Sequence, residues 1–392
     1  MAERAGYDVA VIGAGVVGSA LALGLVRAGQ RVALLDAGDD QLHASGGNFG
    51  LVWVQGKGAG VHGYAAWTRA AAELWPAFAA DLRAASDVDV AYARTGGLAF
   101  CLGEAELERR VTLVKRMHNQ PPPAANDTEI LDEATVRRLV PGLGPAVAGA
   151  SFCPHDGHVD PLRLVRALQT ALLRAGGAIH RRATARSIEA GSPFVVRTAE
   201  ALIEADKVVL AAGLANAELA PTLGLEAAVR PQRGQILVTQ RLPPLCAFAT
   251  NQLRQTADGT VMLGDTKEDA GFDISTTQTA AAALARRAIA CFPALASAHV
   301  VRQWAALRVM SADGLPIYAE SPEHPGAFLA TCHSGVTLAA MHAGPLAEAI
   351  AQGGLPPEVD AFRPGRFAAA AAGAAAGSAA GAAADVREAR AP

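Results

Sequence analysis

Residues 8–18 read Asp-Val-Ala-Val-Ile-Gly-Ala-Gly-Val-Val-Gly, a short apolar run of buried-strand type followed at once by a G-x-G-x-x-G turn. Ser19 to Arg27 then reads as a helix, Ala28-Gly29-Gln30 ends it, and Arg31 to Leu35 is a second apolar strand closed by Asp36. Gly13 permits the tight turn, Gly15 lets a pyrophosphate approach the backbone, and Gly18 lets helix and strand pack closely. The helix N-terminus offers free N–H groups and partial positive charge to phosphates. Asp36, eighteen residues after Gly18, is placed to accept hydrogen bonds from a ribose. An acid there disfavours the 2′-phosphate of NADP. A bare G-x-G-x-x-G is weak evidence among 40 glycines. Strand, helix, second strand and acid in order make it a dinucleotide-binding unit.

The rest of the composition agrees. A chain of 392 residues allows two or three domains. Hydrophobic residues are 51% and charged residues 18%, below the ~25% of an average globular protein, which argues against disorder. Lys plus Arg is 34 against 37 Asp plus Glu, so the basic excess of a nucleic-acid binder is missing. Five cysteines, at least 41 positions apart, exclude a disulfide framework, a C-x-x-C pair and a cysteine-held metal cluster. Reduced thiols and a cytoplasmic location are expected. The apolar run from Val9 to Val26 contains four glycines and lacks a basic lead-in, so neither a signal peptide nor a transmembrane helix is expected.

NAD and FAD are separated by later segments. Ala44-Ser-Gly-Gly-Asn-Phe-Gly-Leu51 is small and Gly-rich, so backbone can lie against a flat ring. Lys207-Val-Val-Leu-Ala-Ala-Gly213 is a buried strand ending in small residues, and Ala327 to Ala340 is a strand, a Gly turn and a second helix start. With these segments the chain, from about Tyr7 to about Ile350, resembles the D-amino-acid-oxidase-type FAD oxidoreductases: glycine oxidase, monomeric sarcosine oxidase, D-amino acid dehydrogenase and their relatives. The motifs are GAGVVG at 13–18, SGGNFG at 45–50, DGHVDP at 156–161, VVLAAG at 208–213, PQRGQ at 231–235, ADGLPIY at 312–318 and CHSGVTLA at 332–339. Within the family, SGGNFGLVWVQGKG and ATCHSGVTLA look most like the β subunits of hydroxyproline and opine dehydrogenases and the similar subunit of hydrogen cyanide synthase.

Asp160-Pro161 is a helix start, Leu162, Val165, Leu168, Leu172 and Leu173 give it one apolar face, and Gly176 stops it. Residues 63–84 and 104–118 read as helices, and Pro121 to Asp127 as a loop. The segments 229–240, 246–256, 260–264 and 300–309 suggest an antiparallel sheet. The expected architecture is α/β: a doubly wound, Rossmann-type FAD-binding domain (1–84, 150–222 and 310–365) with an inserted α+β substrate domain (85–149 and 223–309). The Ala/Gly-rich residues 366–392 form a low-complexity tail.

Cofactor contacts are expected at Gly13, Gly15, Val16, Val17, Gly18, Asp36 and Ala37; at Ser45, Gly46, Gly47, Phe49, Gly50 and Leu51; at Ala185, Ala211, Ala212 and Gly213; and at Ser334, Gly335, Val336, Thr337 and Leu338. Three residues are assigned to the chemistry. The resemblance implies that Arg308 binds the substrate carboxylate, which a guanidinium can hold by two parallel bonds. Val309-Met310 follows it, where most relatives have a Pro close behind the Arg. His333 lies at the turn before the second helix, where the resemblance implies a flavin neighbour. Asn48 either meets substrate or flavin or closes an Asx turn. His43 stands outside the pattern of relatives with covalent flavin, so non-covalent FAD is expected. His155 and His158 show H-x-x-H spacing without a third ligand, so no metal is expected. Gly264 to Asp269 reads as a solvated turn that could border the substrate cavity.

These readings point to oxidation of a small amino or imino acid by hydride transfer to flavin N5. The alternatives are a subunit of a larger dehydrogenase that passes electrons to a partner chain, a 2-hydroxy-acid dehydrogenase on the same fold, and a flavin-binding protein without activity.

Overall fold

The computed structural model describes residues 3–38, 43–121 and 127–367. The strand Glu3–Ile12 lies inside a sheet, paired in parallel with Val32–Leu35 on one side and Ala201–Leu210 on the other. Ala178–His180 and Ala327–Thr331 extend it in parallel, and Ile317–Glu320 closes one edge antiparallel. Ser187–Glu189 and Phe194–Arg197 add an antiparallel flap to the first half of Ala201–Leu210. Val9 and Val11 enter a core with Leu21, Leu25, Trp67 and Leu338. Ala10 and Ile12 enter a second with Leu223, Leu225, Ile317 and Leu329. Successive side chains of a strand point to opposite faces, and both faces here are covered. That is why this strand reads as a continuous apolar run.

Four helices, Val16–Arg27, His62–Ser86, Pro161–Arg174 and Gly335–Met341, pack against one another. Asp160 caps the third, accepting from the N–H groups of Leu162 and Arg163 at 3.0 Å each, with Pro161 in the first turn. The helix expected at 63–84 is His62–Ser86, and that at 104–118 is Glu104–His118.

The rest of the chain builds two small sheets. Val229–Arg241 pairs antiparallel with Val300–Ser311 and with Thr260–Leu263, which pairs in turn with Leu253–Gln255. Gly97–Leu102, Val147–Cys153 and Glu129–Asp132 form the other sheet. The segment 246–256, read as one strand, divides between them: Ala249–Thr250 pairs in parallel with Gly97 and Leu98. The division has a packing reason. Leu98, Phe100 and Val147 share one core with Leu237, Leu253 and Leu263 of the facing sheet and with Leu284 of helix Gln278–Cys291. Val147–Cys153 and Val300–Ser311 run across the positions 150 and 310 at which the sequence reading divides the domains. Arg366, read there as the start of the tail, is bound by Asp313 at 2.7 Å; residues 368–392, and 122–126 of the Pro-rich loop, lie outside the described residues. Among the described residues no helix is long and apolar enough to cross a membrane.

Candidate active site

The carboxyl ends of Glu3–Ile12, Val32–Leu35 and Ala201–Leu210 open on a cavity of about 860 Å³. Ligands of open α/β sheets bind in such a crevice, and the volume is near the upper end of the ~300–1,000 Å³ of small-molecule sites. Gly13, at φ +103°, turns where a Cβ would strike the Ala211 carbonyl. A Cβ on Gly15 would come within 2.8 Å of Ser45 Oγ, and one on Gly18 would overlap the Gly13 carbonyl oxygen. The turn therefore has room for backbone and a bound group, not for side chains. Gly15 is the N-cap of Val16–Arg27 and has no side chain of its own to cap it. The Val16 N–H donates to Ser45 Oγ and the Ala14 N–H to Asp36, both at 2.9 Å, while the other Asp36 oxygen accepts from Gly38. A dinucleotide fits this cradle: backbone is bare at the phosphate position and a carboxylate stands eighteen residues on.

Of the residues read from the sequence, Gly13, Gly15, Val16, Val17, Asp36, Ala37, Ser45, Gly46 and Asn48 wall the cavity. So do Ala185, Ala211, Ala212, Gly213, His333, Gly335 and Val336. The remainder stand just behind. Gly18 packs helix on turn. Gly47 lies against Trp304, whose indole N–H donates to its carbonyl at 3.2 Å, and a Cβ on Gly50 would collide with the Val159 carbonyl. The Phe49 carbonyl accepts from Arg254, and Leu51 pairs with His158. Ser334 accepts from the Tyr64 hydroxyl at 2.8 Å, and Leu338 is fully buried. Asn48 closes the Asx turn, its side-chain oxygen accepting from the Gly50 N–H at 2.7 Å, while also facing the cavity. His155 is held by Asp127 at 2.6 Å.

His333 is exposed to the cavity, with protein crowded around the rest of its ring. Burial, then the charges of Lys57, Arg308 and Lys267, push its pKa down to about 3, so its ring is neutral near pH 7. Arg308 does not itself wall the cavity; its neighbours Leu307 and Val309 do. Its guanidinium is turned onto Asp265 and the Thr266 carbonyl.

Two polar residues behind this wall escaped the sequence reading. Lys57 donates to Thr337 Oγ1 at 2.9 Å, and burial pulls its pKa down to about 8 against the favourable charge of Asp156. Asp156 accepts from the Val54 N–H and from the Gln55 side chain, yet burial raises its pKa to about 7. The available signal was a single charged residue in the otherwise uncharged run Leu51 to Gly60.

Comparison with known proteins gives one answer. The family model described as DAO, FAD dependent oxidoreductase, matches residues 8–349. An opine oxidase subunit of Agrobacterium tumefaciens (strain Ach5) is 41% identical over 92% of this chain and 97% of its own length. Glycine oxidase of Pseudomonas putida is 31% identical over 83% and 89%. The crystal structure of glycine oxidase from Geobacillus kaustophilus is similar with a TM-score of 0.81 at 26% identity, covering 92% of this chain and 98% of that one.

Proposed function

The chain belongs to the FAD-dependent oxidoreductase family, and we propose that it oxidises the C–N bond of a small amino or imino acid. The observation that carries this reading is a guanidinium, Arg308, partly open to solvent and set on the strand between Leu307 and Val309 of the cavity wall. A group able to anchor a carboxylate thus stands at the border of the cavity suited to the flavin, whose wall includes His333. The names of the relatives, an opine oxidase subunit and glycine oxidases, support a substrate of amino-acid type.

The Gly13–Gly18 turn and the N-terminus of Val16–Arg27 would hold the pyrophosphate, Asp36 the ribose, and the stretch from Cys332 to Val336 the ring, non-covalently. When bound, FAD supplies the acceptor for the hydride that leaves the substrate α-carbon. Arg308 binds the substrate carboxylate and fixes which carbon faces the ring. His333, neutral, can exchange a hydrogen bond with the substrate without adding charge. Leu307 and Val309 line the wall with apolar surface, and the exposed side chains of Phe272 and Ile274 border it. A neutral substrate amine assists the departure of hydride, so no strong general base is required, and the imine is hydrolysed in water.

A second reading concerns the electron acceptor. The 41% identical relative is named as a subunit, which favours a chain that passes electrons to a partner polypeptide instead of to oxygen. Both readings meet one experiment: the purified flavoprotein, kept anaerobic, is mixed in turn with small amino acids, N-substituted amino acids and 2-hydroxy acids. An amine should bleach the visible flavin band while hydroxy acids leave it. Bleaching by a hydroxy acid alone would sink the assignment. Fast bleaching with slow reoxidation in air would favour the partner-linked form.

A further inference from the structure

Arg308 lies on Val300–Ser311, opposite Gln232, with its guanidinium over Gly234, where any Cβ would collide with it. Nη2 donates to the Asp265 carboxylate and, at 2.7 Å, to the Thr266 carbonyl; Nη1 reaches the Arg233 carbonyl at 3.3 Å. Asp265 therefore meets the fork end-on, one oxygen against one nitrogen. A free carboxylate can engage two parallel N–H donors. The pair is also open to water: the side chain of Arg308 is 16% exposed and that of Asp265 37%. Water reaching the Asp265 side screens the pair and offers its oxygens another partner.

We propose that Asp265 is a displaceable stand-in for the substrate carboxylate, a latch that a carboxylate ligand pushes off Arg308 as it binds. The inference rests on the reading of Arg308 as the carboxylate anchor. The loop carrying Asp265 joins Thr260–Leu263 to helix Gln278–Cys291. It is pinned by other contacts: Glu268 and Asp273 both bind Arg233, and Glu268 accepts from Gln235 at 3.0 Å. None of these uses Arg308, so Asp265 can turn away while the loop stays. The same loop presents Phe272 and Ile274 to the cavity. Asp265 thereby determines specificity. It keeps the fork neutralised until a group of the same charge and better geometry arrives, and an amine without a carboxylate gains nothing from displacing it.

The test uses the holoenzyme and propionate as probe, with binding read from perturbation of the visible flavin spectrum. Asp265→Asn should lower the propionate Kd on the order of tenfold, the factor for a latch closed in about nine molecules of ten. Propionamide binding should not change. In an Arg308→Ala background the Asp265→Asn gain should vanish, because the two substitutions act through one contact. Asp265→Ser should repeat the sign if the Asn variant folds poorly. An unchanged propionate Kd in both Asp265 variants, with Arg308→Ala still weakening propionate, would overturn the latch and leave the anchor standing. An unchanged Kd in Arg308→Ala would overturn the anchor itself.

Discussion

Around Glu3–Ile12 the packed interior is built from aliphatic and aromatic side chains, and the tightest contacts are between backbones at Gly13, Gly18 and Ala211. Around the antiparallel sheet of Val229–Arg241 and Val300–Ser311 the interior holds charge. Arg233 is 7% exposed and Arg254 4%, the first held by Glu268 and Asp273, the second by the Phe49 carbonyl and Met262. Under the proposed function the two regions specify their ligands by different physics. In the first, shape is set by atoms that have no room to move, so a substitution is paid in steric overlap. In the second, it is set by ion pairs, and an ion pair is a contact whose partner can be exchanged. A region meant to hold one cofactor suits the former; one that admits and releases substrate suits the latter.

The largest effect that would break this contrast belongs to the turn. Gly15→Val sets a branched side chain in the path of the pyrophosphate, and the purified variant should be colourless, with FAD absent from the acid supernatant. Stoichiometric flavin in that variant would remove the cavity from its assigned role. Next comes the exchangeable side. Arg308→Ala should cost about 2–4 kcal/mol of transition-state binding, or roughly 30- to 1,000-fold in kcat/KM, for a carboxylate substrate. The loss should be far smaller for an analogue lacking the carboxylate. Equal losses on both would make Arg308 a structural residue and erase the difference between the regions. The smallest effect is local to the first region. Asp160→Ala removes a helix cap and should lower stability by about 1 kcal/mol in urea unfolding, with flavin affinity kept. A change of flavin affinity would show that the cap reaches the cavity.

The contrast also explains which parts could be read in the sequence. The turn, its helix and Asp36 are consecutive, and the constraints on Gly13 and Gly18 come from neighbours in the same unit or its parallel partner. The cap at Asp160-Pro161 is equally local. Gly47 and Gly50 were legible as places needing bare backbone, and Ala306 and Val159 are protein neighbours that leave no space for a Cβ there. Long-range pairing of charged side chains with their polar partners was the hidden part. Lys57 finds Thr337 across 280 positions, and Arg308 finds Asp265 across 43, on a loop that composition marks as a plain turn. Residue type reveals that an arginine needs a partner; it does not reveal which of 37 acids comes to it.

The order of the central sheet has a consequence for biosynthesis. Glu3–Ile12 emerges first from the ribosome, yet one of its flanking strands is Ala201–Leu210, which itself leans on Ala327–Thr331. At ~5–20 residues per second, the ~315 residues between Ile12 and Ala327 take roughly 15–60 s to make. Throughout that interval Leu21 and Leu25 of the first helix wait for Leu338 and Leu346, and Gly24 for the Ala343 backbone it abuts. The nascent chain carries an unfinished apolar face for most of its synthesis. A message cut short of those last strands yields a chain that must be shielded or degraded, not a smaller flavoprotein.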